Sequence, residues 1–221
     1  MTQFEIELEH IKSEVISMWQ LVILQLSKSK DAMVNFDKDL AREVVQKEKR
    51  VNALELKIDR DCENIFALFS PVAVDLRFLL AALKINNNLE RIGDIAEGIA
   101  KYIVETPVKF DANVLVSTEL TRMFEDSIDI LTDTKVAFEN ENTLLARTIF
   151  SRDEVLDQIN RKADEKIASY IKSNPDNIKE ALYILSIIRK LERVGDQSKN
   201  IAEEIIFYVE AKVLKHQKGL L

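Results

Sequence analysis

The sequence has few of the residues that mark disulfide-linked or turn-rich proteins. Its 221 residues include one Cys, three Pro and four Gly. The single Cys62 excludes an intrachain disulfide and, because it lies among apolar residues, predicts a buried thiol in a reducing compartment. The low content of Gly and Pro, together with 31% charged residues, favours long helices over β structure with many turns.

Long apolar runs and positive charge are also missing. No apolar run approaches the roughly 18 residues of a membrane span, and the first residues lack the pattern of a signal peptide. These absences predict a cytoplasmic protein. The net charge of −7 argues against nucleic acid as a partner, since phosphate backbones bind basic surfaces. Direct binding to anionic lipid is not expected either, because no basic stripe is present.

A six-residue motif occurs twice. Leu-Glu-Arg-Ile-Gly-Asp at 89–94 returns as Leu-Glu-Arg-Val-Gly-Asp at 191–196, 102 residues later, and apolar positions on both sides of the motif repeat with it. Self-similarity at a fixed offset indicates duplication. The unit of this chain is therefore about half of its length.

Apolar residues at helical spacing, with the prolines between segments, predict six helices. Asp37, Asp111 and Asp176 are suited to N-caps or to the first turns of helices. Because the connections are short, neighbouring helices must be antiparallel, so we predict an all-α fold of two tandem three-helix bundles, residues 1–107 and 108–221. No long linker separates these halves, and we expect them to pack together. The predicted helices are 3–34, 38–69, 74–105, 111–140, 143–172 and 177–215.

Acidic residues recur at equivalent places in both halves. Each motif carries a Glu and an Asp one helical turn apart, Glu90 with Asp94 and Glu192 with Asp196. The preceding helix of each half carries a stripe of three carboxylates and one Asn that borders its apolar face. The stripes are Glu48, Asn52, Glu55 and Asp59 in the first half, and Asp153, Asp157, Asn160 and Asp164 in the second.

An antiparallel hairpin brings the stripe and the motif of each half to a similar level. In the first half, Glu55 and Asp59 lie level with the motif acids. In the second half, Asp153 and Asp157 are better placed than Asp164. Two facing acidic patches repel unless a cation lies between them, and that cation is either an Arg or Lys side chain or a metal ion. Oxygen ligands without His or Cys favour Mg²⁺, Mn²⁺, Ca²⁺ or iron over structural zinc.

Other residues near these patches give weaker signals. His10 matches half of a Glu-x-x-His di-iron motif, but it occurs once, and we interpret it and His216 as surface residues. Gly93 and Gly195 each weaken a helix by roughly 1 kcal/mol relative to Ala. Either a close helix contact or room for a bound ion explains their presence in both motifs.

The two Glu-Arg-(Ile/Val)-Gly-Asp segments on a duplicated three-helix plan closely resemble the PhoU family of phosphate-uptake regulators. Residues 71–77, Pro-Val-Ala-Val-Asp-Leu-Arg, are similar to that family's Pro-x-Ala-x-Asp-Leu-Arg signature. The resemblance covers essentially the whole chain. It implies surface metal clusters with iron or zinc, and a homodimer. The matching metal residues are Glu55, Asp59, Glu90 and Asp94 for the first site, and Asp164, Glu192 and Asp196 for the second.

The same resemblance implies a function. PhoU-like proteins are cytoplasmic accessory proteins that signal between the ATPase of a phosphate ABC transporter and a sensor histidine kinase, and that repress the phosphate regulon when phosphate is plentiful. Association with the membrane is then peripheral, through these protein partners. Related proteins serve other phosphate transporters, so the family does not fix the partner.

This chain departs from the family pattern in its second half. Asn160 stands where the first half has Glu55, and an amide brings no charge, so the second site is either weaker or recruits Asp157 as a ligand. Asp75 and Arg77 of the signature serve either a partner surface or the bracing of the third helix. Both interpretations remain open at this stage.

Three classes of function remain to be separated. The first is a non-enzymatic regulator that binds metal. The second is a carboxylate-bridged metalloenzyme, against which stands the lack of a recognisable nucleophile–base pair or His ligand. The third is a structural bundle whose acids are neutralised by salt bridges. Measured metal content separates the third class from the other two, and enzymatic turnover separates the second from the first.

Overall fold

The computed structural model describes residues 1–213, and within that range it contains helices and no strands. The all-α prediction is thereby confirmed, and four of the six predicted helices are found with boundaries within one or two residues of those expected. The helices are α1 (Gln3–Asn35), α2 (Lys38–Phe69), α3 (Ala73–Glu105), α4 (Ala112–Ser117), α5 (Leu120–Glu139), α6 (Thr143–Ser173) and α7 (Ile178–Glu210), with a 3₁₀ turn at Pro175–Asn177.

Polar side chains at the predicted positions begin several helices. The Asp37 carboxylate accepts hydrogen bonds from the backbone N–H groups of Asp39 and Leu40, and Asp111 accepts one from Asn113. These bonds satisfy donors that have no partner within the helix. Asp176 lies in the first turn of the 3₁₀ segment instead.

The single helix predicted for 111–140 was wrong, because the chain breaks between α4 and α5. Glu119 has a left-handed backbone (φ 59°), and the Thr118 hydroxyl donates to the Val114 carbonyl at 2.6 Å. Such local side-chain bonds compete with helix continuation. The Glu119 carboxylate in turn accepts a hydrogen bond from the Lys166 ammonium at 3.0 Å. This bond connects the segment between α4 and α5 to α6.

The last helix is shorter than predicted. It ends at Glu210, with Ala211 in a left-handed C-cap, whereas the periodicity predicts residues up to 215. Residues 214 and 215, and the prediction for His216, lie outside the described residues.

The helices form two antiparallel three-helix bundles, α1–α3 and α5–α7, that pack side by side through α1 with α5 and α3 with α7. One continuous apolar core runs through both bundles. Trp19 donates its indole N–H to the Leu131 carbonyl of the other half at 3.1 Å, and Tyr102 stacks on Tyr183 with 4.9 Å between ring centroids. The expected packing of the halves is confirmed. Cys62 is fully buried, and burial raises the pKa of its thiol to about 12.

No helix among residues 1–213 is both long enough and apolar enough to span a membrane. The antiparallel pairs α2–α3 and α6–α7 bring the acidic stripe of each half beside its motif. These pairs also make some of the most extensive helix contacts in the molecule. The position of each acid along its helix therefore determines which acids face each other.

Candidate metal centre

In the first half, five acidic residues of α2 and α3 form a group that we call the α2–α3 cluster. Within residues 1–213, none of the five has a basic side chain within 4.0 Å of its carboxylate. The nearest basic pair on α3 is Lys101 with Glu97, at 2.6 Å, and Glu97 lies outside the group. The cluster consists of Glu48, Glu55, Asp59, Glu90 and Asp94.

Glu48 is the most buried member of this cluster. It is only 4% exposed, and neither carboxylate oxygen has a hydrogen-bond partner in the described chain. Burial raises the pKa of Glu48 to about 7, with further contributions from the charges of Asp94, Glu97 and Glu90, although the Gln25 amide acts in the opposite direction. An ionised carboxylate in this position is costly without a cation beside it.

Two other members of the cluster are less stable in their charged form than an isolated acid. Burial raises the pKa of Glu55, and the charges of Asp59 and Asp94 add to the rise. Burial likewise raises the pKa of Glu90, with Asp94 and Glu55 adding to it. The charges of neighbouring acids thus hinder the ionisation of Glu55 and Glu90.

Asn86 is a buried amide that supports the cluster from α3. Its side-chain N–H₂ donates to Asp59 Oδ1 at 2.8 Å and to the Glu55 carbonyl at 3.0 Å. Its own Oδ1 is buried without a hydrogen-bond partner in the described chain. Sequence reasoning missed Asn86 because its neighbours Asn87 and Asn88 make it resemble an ordinary polar stretch.

The equivalent group in the second half, the α6–α7 cluster, is organised around Lys199. The Lys199 ammonium donates to Asp153 on α6 and, at 3.0 Å, to Asp196 on α7. Burial lowers the pKa of Lys199, but these two carboxylates more than offset that effect and hold its pKa above the usual range. The cluster consists of Asp153, Asp157, Asp164, Glu192 and Asp196.

Two further acids of the α6–α7 cluster are also ion-paired. Asp157 lies 3.6 Å from Arg161, and Asp164 lies 3.0 Å from Arg189 with 69% of its side chain exposed. Burial raises the pKa of Glu192, as do the charges of Asp196, Asp157 and Asp153, in that order. The structure thus gathers Asp153 and Asp157 beside Glu192 and leaves Asp164 in a surface pair.

Both motif glycines permit close approach of the facing helix. A Cβ on Gly93 would lie 3.1 Å from both Glu48 oxygens, and one on Gly195 would lie 2.8 Å from Leu156 Cδ1 and nearer still to Asp153. The close-contact explanation therefore holds at both positions. Each glycine makes room for the buried carboxylate of the neighbouring helix.

The carboxylates of the two clusters are not gathered to ligation distance. In residues 1–213, the one group of three His, Cys, Asp or Glu residues with ligand atoms within 4.8 Å of one another is His10, Glu14 and Asp61. Lys57 lies among these three, donating to Glu14 and, at 3.1 Å, to Asp61.

The donors of the α2–α3 cluster fit an oxygen-preferring cation. The Glu48 oxygens and Asn86 Oδ1 are buried without partners, and each such atom costs roughly 1–3 kcal/mol unless something satisfies it. Sequence reasoning selected Glu55, Asp59, Glu90 and Asp94 and missed the nearby Glu48, although its place on the stripe was visible. In the second half, sequence reasoning left out Asp153 and Lys199. The level of Asp153 along α6 was a sufficient signal for including Asp153.

The signature segment has a structural role in this fold. The Arg77 guanidinium donates to the Tyr208 carbonyl near the end of α7 at 3.3 Å, which braces the two halves against each other. Asp75 lies beside Phe78 and Tyr208 at the wall of a 310 Å³ cavity. This contact supports the bracing interpretation of Arg77, and a role of Asp75 or Arg77 at a partner surface stays a prediction.

Comparisons with known proteins converge on one family. The PhoU domain matches residues 15–103 and again residues 120–205. The phosphate-specific transport system accessory protein PhoU of Edwardsiella tarda is 36% identical over 98% of this chain and 88% of that protein. The homologous protein of Aquifex aeolicus is 32% identical, covering 96% and 95%. The crystal structure of PhoU from Pseudomonas aeruginosa matches with a TM-score of 0.87 at 30% identity, covering 95% of this chain and 100% of that one.

Proposed function

Since this chain belongs to the PhoU family, we propose that it is an accessory protein of a phosphate-specific transport system that binds metal at its α2–α3 cluster. The relatives are named for an accessory role in that system, which supports the first part. The observation that carries the second part is Glu48, a buried carboxylate whose oxygens have no hydrogen-bond partner within residues 1–213. It lies among four further acids that have no ion pair within 4.0 Å in the same residues.

The relatives are named as accessory proteins and not as enzymes, which confirms the prediction of a non-enzymatic protein. The chemistry of the site agrees with that role. Within residues 1–213 its acids make no ion pair within 4.0 Å, and they are suited to holding a cation. Glu55, Asp59, Glu90 and Asp94 are the proposed ligands, with Glu48 behind them. Iron satisfies both the preference for oxygen donors and the resemblance to the family.

We extend the accessory role to signalling between the transporter ATPase and a sensor histidine kinase. A protein with net charge −7 and no basic stripe is repelled by anionic lipid, so it reaches the membrane by docking on a protein. Peripheral association through the transporter or kinase, and dimerisation of the chain, belong to the same proposal.

Elemental analysis tests the metal part of this proposal. Protein purified without chelator is expected to carry at least one transition metal or tightly held divalent ion per chain. Replacing Glu90 and Asp94 with Ala is expected to remove it. If the double variant keeps its metal content and chelation leaves thermal stability unchanged, the α2–α3 cluster is not a metal site.

Sedimentation tests the accessory part without reference to metal. We expect the protein to be recovered with membranes that contain the phosphate transporter or its kinase, and to remain in the supernatant with protein-free liposomes of the same lipids. Deletion of the gene is expected to derepress phosphate-starvation genes in phosphate-rich medium. Equal sedimentation with bare liposomes would contradict docking on a protein, and unchanged reporter expression would contradict the regulatory role.

A further inference from the structure

The two clusters occupy equivalent places in the repeat but differ in the residues around them. In the second half, three basic residues contact the acids, and none of these positions is basic in the first half. When the two halves are aligned by their repeat, Lys199 is at the position equivalent to Glu97, Arg161 at that of Leu56 and Arg189 at that of Asn87.

Lys199 has the geometry of a bound cation. Its ammonium bridges Asp153 and Asp196, so it links α6 to α7 across the line where the acidic stripe faces the motif. The Asp153 side chain is only 3% exposed, and that of Lys199 is 31% exposed. Asp153 therefore has a counter-ion within the chain, and Lys199 opposes the rise in pKa that burial of Asp153 causes.

The equivalent position in the first half provides no such cation. Glu97 pairs with Lys101 on its own helix, and its charge adds to the rise in the pKa of Glu48. Lys190 of the other half packs over Gly98 and interacts electrostatically with Asp94 and Glu97, but it has no acidic oxygen of the cluster within 4.0 Å among the described residues. Within residues 1–213, Glu48 therefore has no ion pair like the one that its equivalent, Asp153, makes with Lys199.

We propose that Lys199 is the resident cation of the α6–α7 cluster, and that the metal proposed for this chain is held by the α2–α3 cluster alone. This inference rests on the proposed metal-binding function and assigns it to one of two candidate sites. A tethered ammonium is always present at a high effective concentration. A metal ion that entered beside it would meet like-charge repulsion and would have to displace two charge-assisted hydrogen bonds.

The chain contains a second example of the same arrangement. His10, Glu14 and Asp61 bring three ligand atoms together, and the Lys57 ammonium lies between them. In both places, carboxylates from two helices meet around a lysine from one of them. Among the described residues, the α2–α3 cluster has no lysine placed in this way.

A reciprocal exchange tests the proposal, with Mn²⁺ as the probe. Mn²⁺ is added to metal-free protein, and free Mn²⁺ is counted by electron paramagnetic resonance. Wild type is expected to show one class of tight site per chain. Lys199→Glu is expected to gain a second class, and Lys199→Gln, which nearly keeps the size of the side chain, a weaker one. Glu97→Lys is expected to weaken the original site at least tenfold.

Matched controls carry the same charge changes away from both clusters. Lys172→Glu changes an exposed residue at the end of α6, about 28 Å along the helix from Asp153, and Glu9→Lys changes an exposed residue on α1. Both are expected to leave Mn²⁺ binding within twofold of wild type. Helix content by circular dichroism establishes that each variant is folded, and Lys199→Gln and Glu97→Lys keep the test decisive if Lys199→Glu unfolds.

The possible failures are distinguishable. Two equal classes of site in wild type, or one class that persists unchanged in both Lys199 variants and in Glu97→Lys, would overturn the role of Lys199 and leave metal binding itself intact. An absence of Mn²⁺ binding in wild type and in every variant would overturn metal binding at the α2–α3 cluster as well. Docking on the transporter is measured separately by sedimentation.

Discussion

The two halves of this chain fold alike but balance the charge of their acids differently. In the first half, five acids of α2 and α3 have no basic side chain within 4.0 Å in the described residues, and Glu48 is buried among them. In the second half, four of five acids are ion-paired, Asp153 and Asp196 with Lys199, Asp157 with Arg161 and Asp164 with Arg189.

This difference has a physical consequence. A buried carboxylate such as Glu48 or Asp153 must be protonated, paired with a base or in contact with a bound cation, because uncompensated charge in a low-dielectric interior is too costly. The α6–α7 cluster is paired with bases of its own half, so we expect its stability not to depend on a ligand. Among the described residues the α2–α3 cluster has no such ion pair, so we expect its stability to depend on pH and on any cation that binds there.

The largest effect is expected from removing the internal base. Lys199→Met leaves Asp153 buried without its counter-ion and is expected to lower the free energy of unfolding by about 3 kcal/mol, as the loss of one partner from a buried pair does. Glu97→Met, at the equivalent position, removes a charge that opposes its neighbours and is expected to change stability by less than about 1 kcal/mol. Urea unfolding of metal-free protein at pH 7 measures both, and equal losses would contradict the comparison.

Glu48→Gln is expected to stabilise the metal-free protein, in a pH-dependent way. The pKa of Glu48 is about 7 in the folded state and 4.5 ordinarily, so the folded protein must hold a proton that the unfolded chain releases as the pH rises. The free energy of unfolding of wild type, relative to that of the variant, therefore falls by at most roughly 3 kcal/mol between pH 4.5 and 7. Above pH 7 this difference is constant. Urea unfolding at pH 4.5 and 8 measures this difference.

The control for this prediction is Glu9→Gln, which changes an exposed acid on α1 and is expected to have no comparable effect at either pH. A Glu48→Gln variant that is less stable than wild type at pH 8 in the presence of chelator would show that its carboxylate is already compensated. In protein loaded with Mn²⁺ the sign is expected to reverse, because the cation then stabilises the ionised Glu48.

Substituting the two motif glycines with Ala is expected to lower stability to different extents, and this difference is smaller than the effects described above. A Cβ on Gly195 meets Asp153, which Lys199 holds in place, and Leu156, so Gly195→Ala is expected to destabilise the protein by about 1–3 kcal/mol. A Cβ on Gly93 meets its neighbours at 3.1 Å, and the higher helix propensity of Ala offsets part of the strain, so Gly93→Ala is expected to cost less than about 1 kcal/mol. Thermal unfolding of the two variants measures which substitution costs more stability. A larger loss in Gly93→Ala than in Gly195→Ala would contradict the prediction.

The smallest effect is expected from Asn160→Glu. The sequence alone predicts that this carboxylate improves the second metal site, since Asn160 stands at the equivalent of Glu55. With Lys199 in place, however, we expect Mn²⁺ binding to change by less than threefold, and to tighten clearly only in the double variant with Lys199→Gln. A new tight site in Asn160→Glu alone would assign the difference between the halves to Asn160.

Much of the fold was predictable because it depends on local patterns. Apolar spacing located α1–α3 and α6 to within one or two residues of the observed boundaries, and Asp37 and Asp111 were recognised as caps. The break before Glu119 was not predicted, because its cause is a set of contacts that includes Lys166 on another helix. Apolar periodicity contains no information on such a contact.

The candidate site was predictable to the level of a helix pair. The sequence by itself determined that acids recur on both pairs and that Glu90, Asp94, Glu192 and Asp196 face a second acidic stripe. Only the tertiary structure decided that Asp153 pairs with Lys199 while Asp164 pairs with Arg189, and that Glu48 makes no ion pair within residues 1–213. The reason is geometric: a sequence specifies the level and face of a residue on its own helix, whereas an ion pair between helices depends on their mutual rotation and separation, which the packing of the whole core determines.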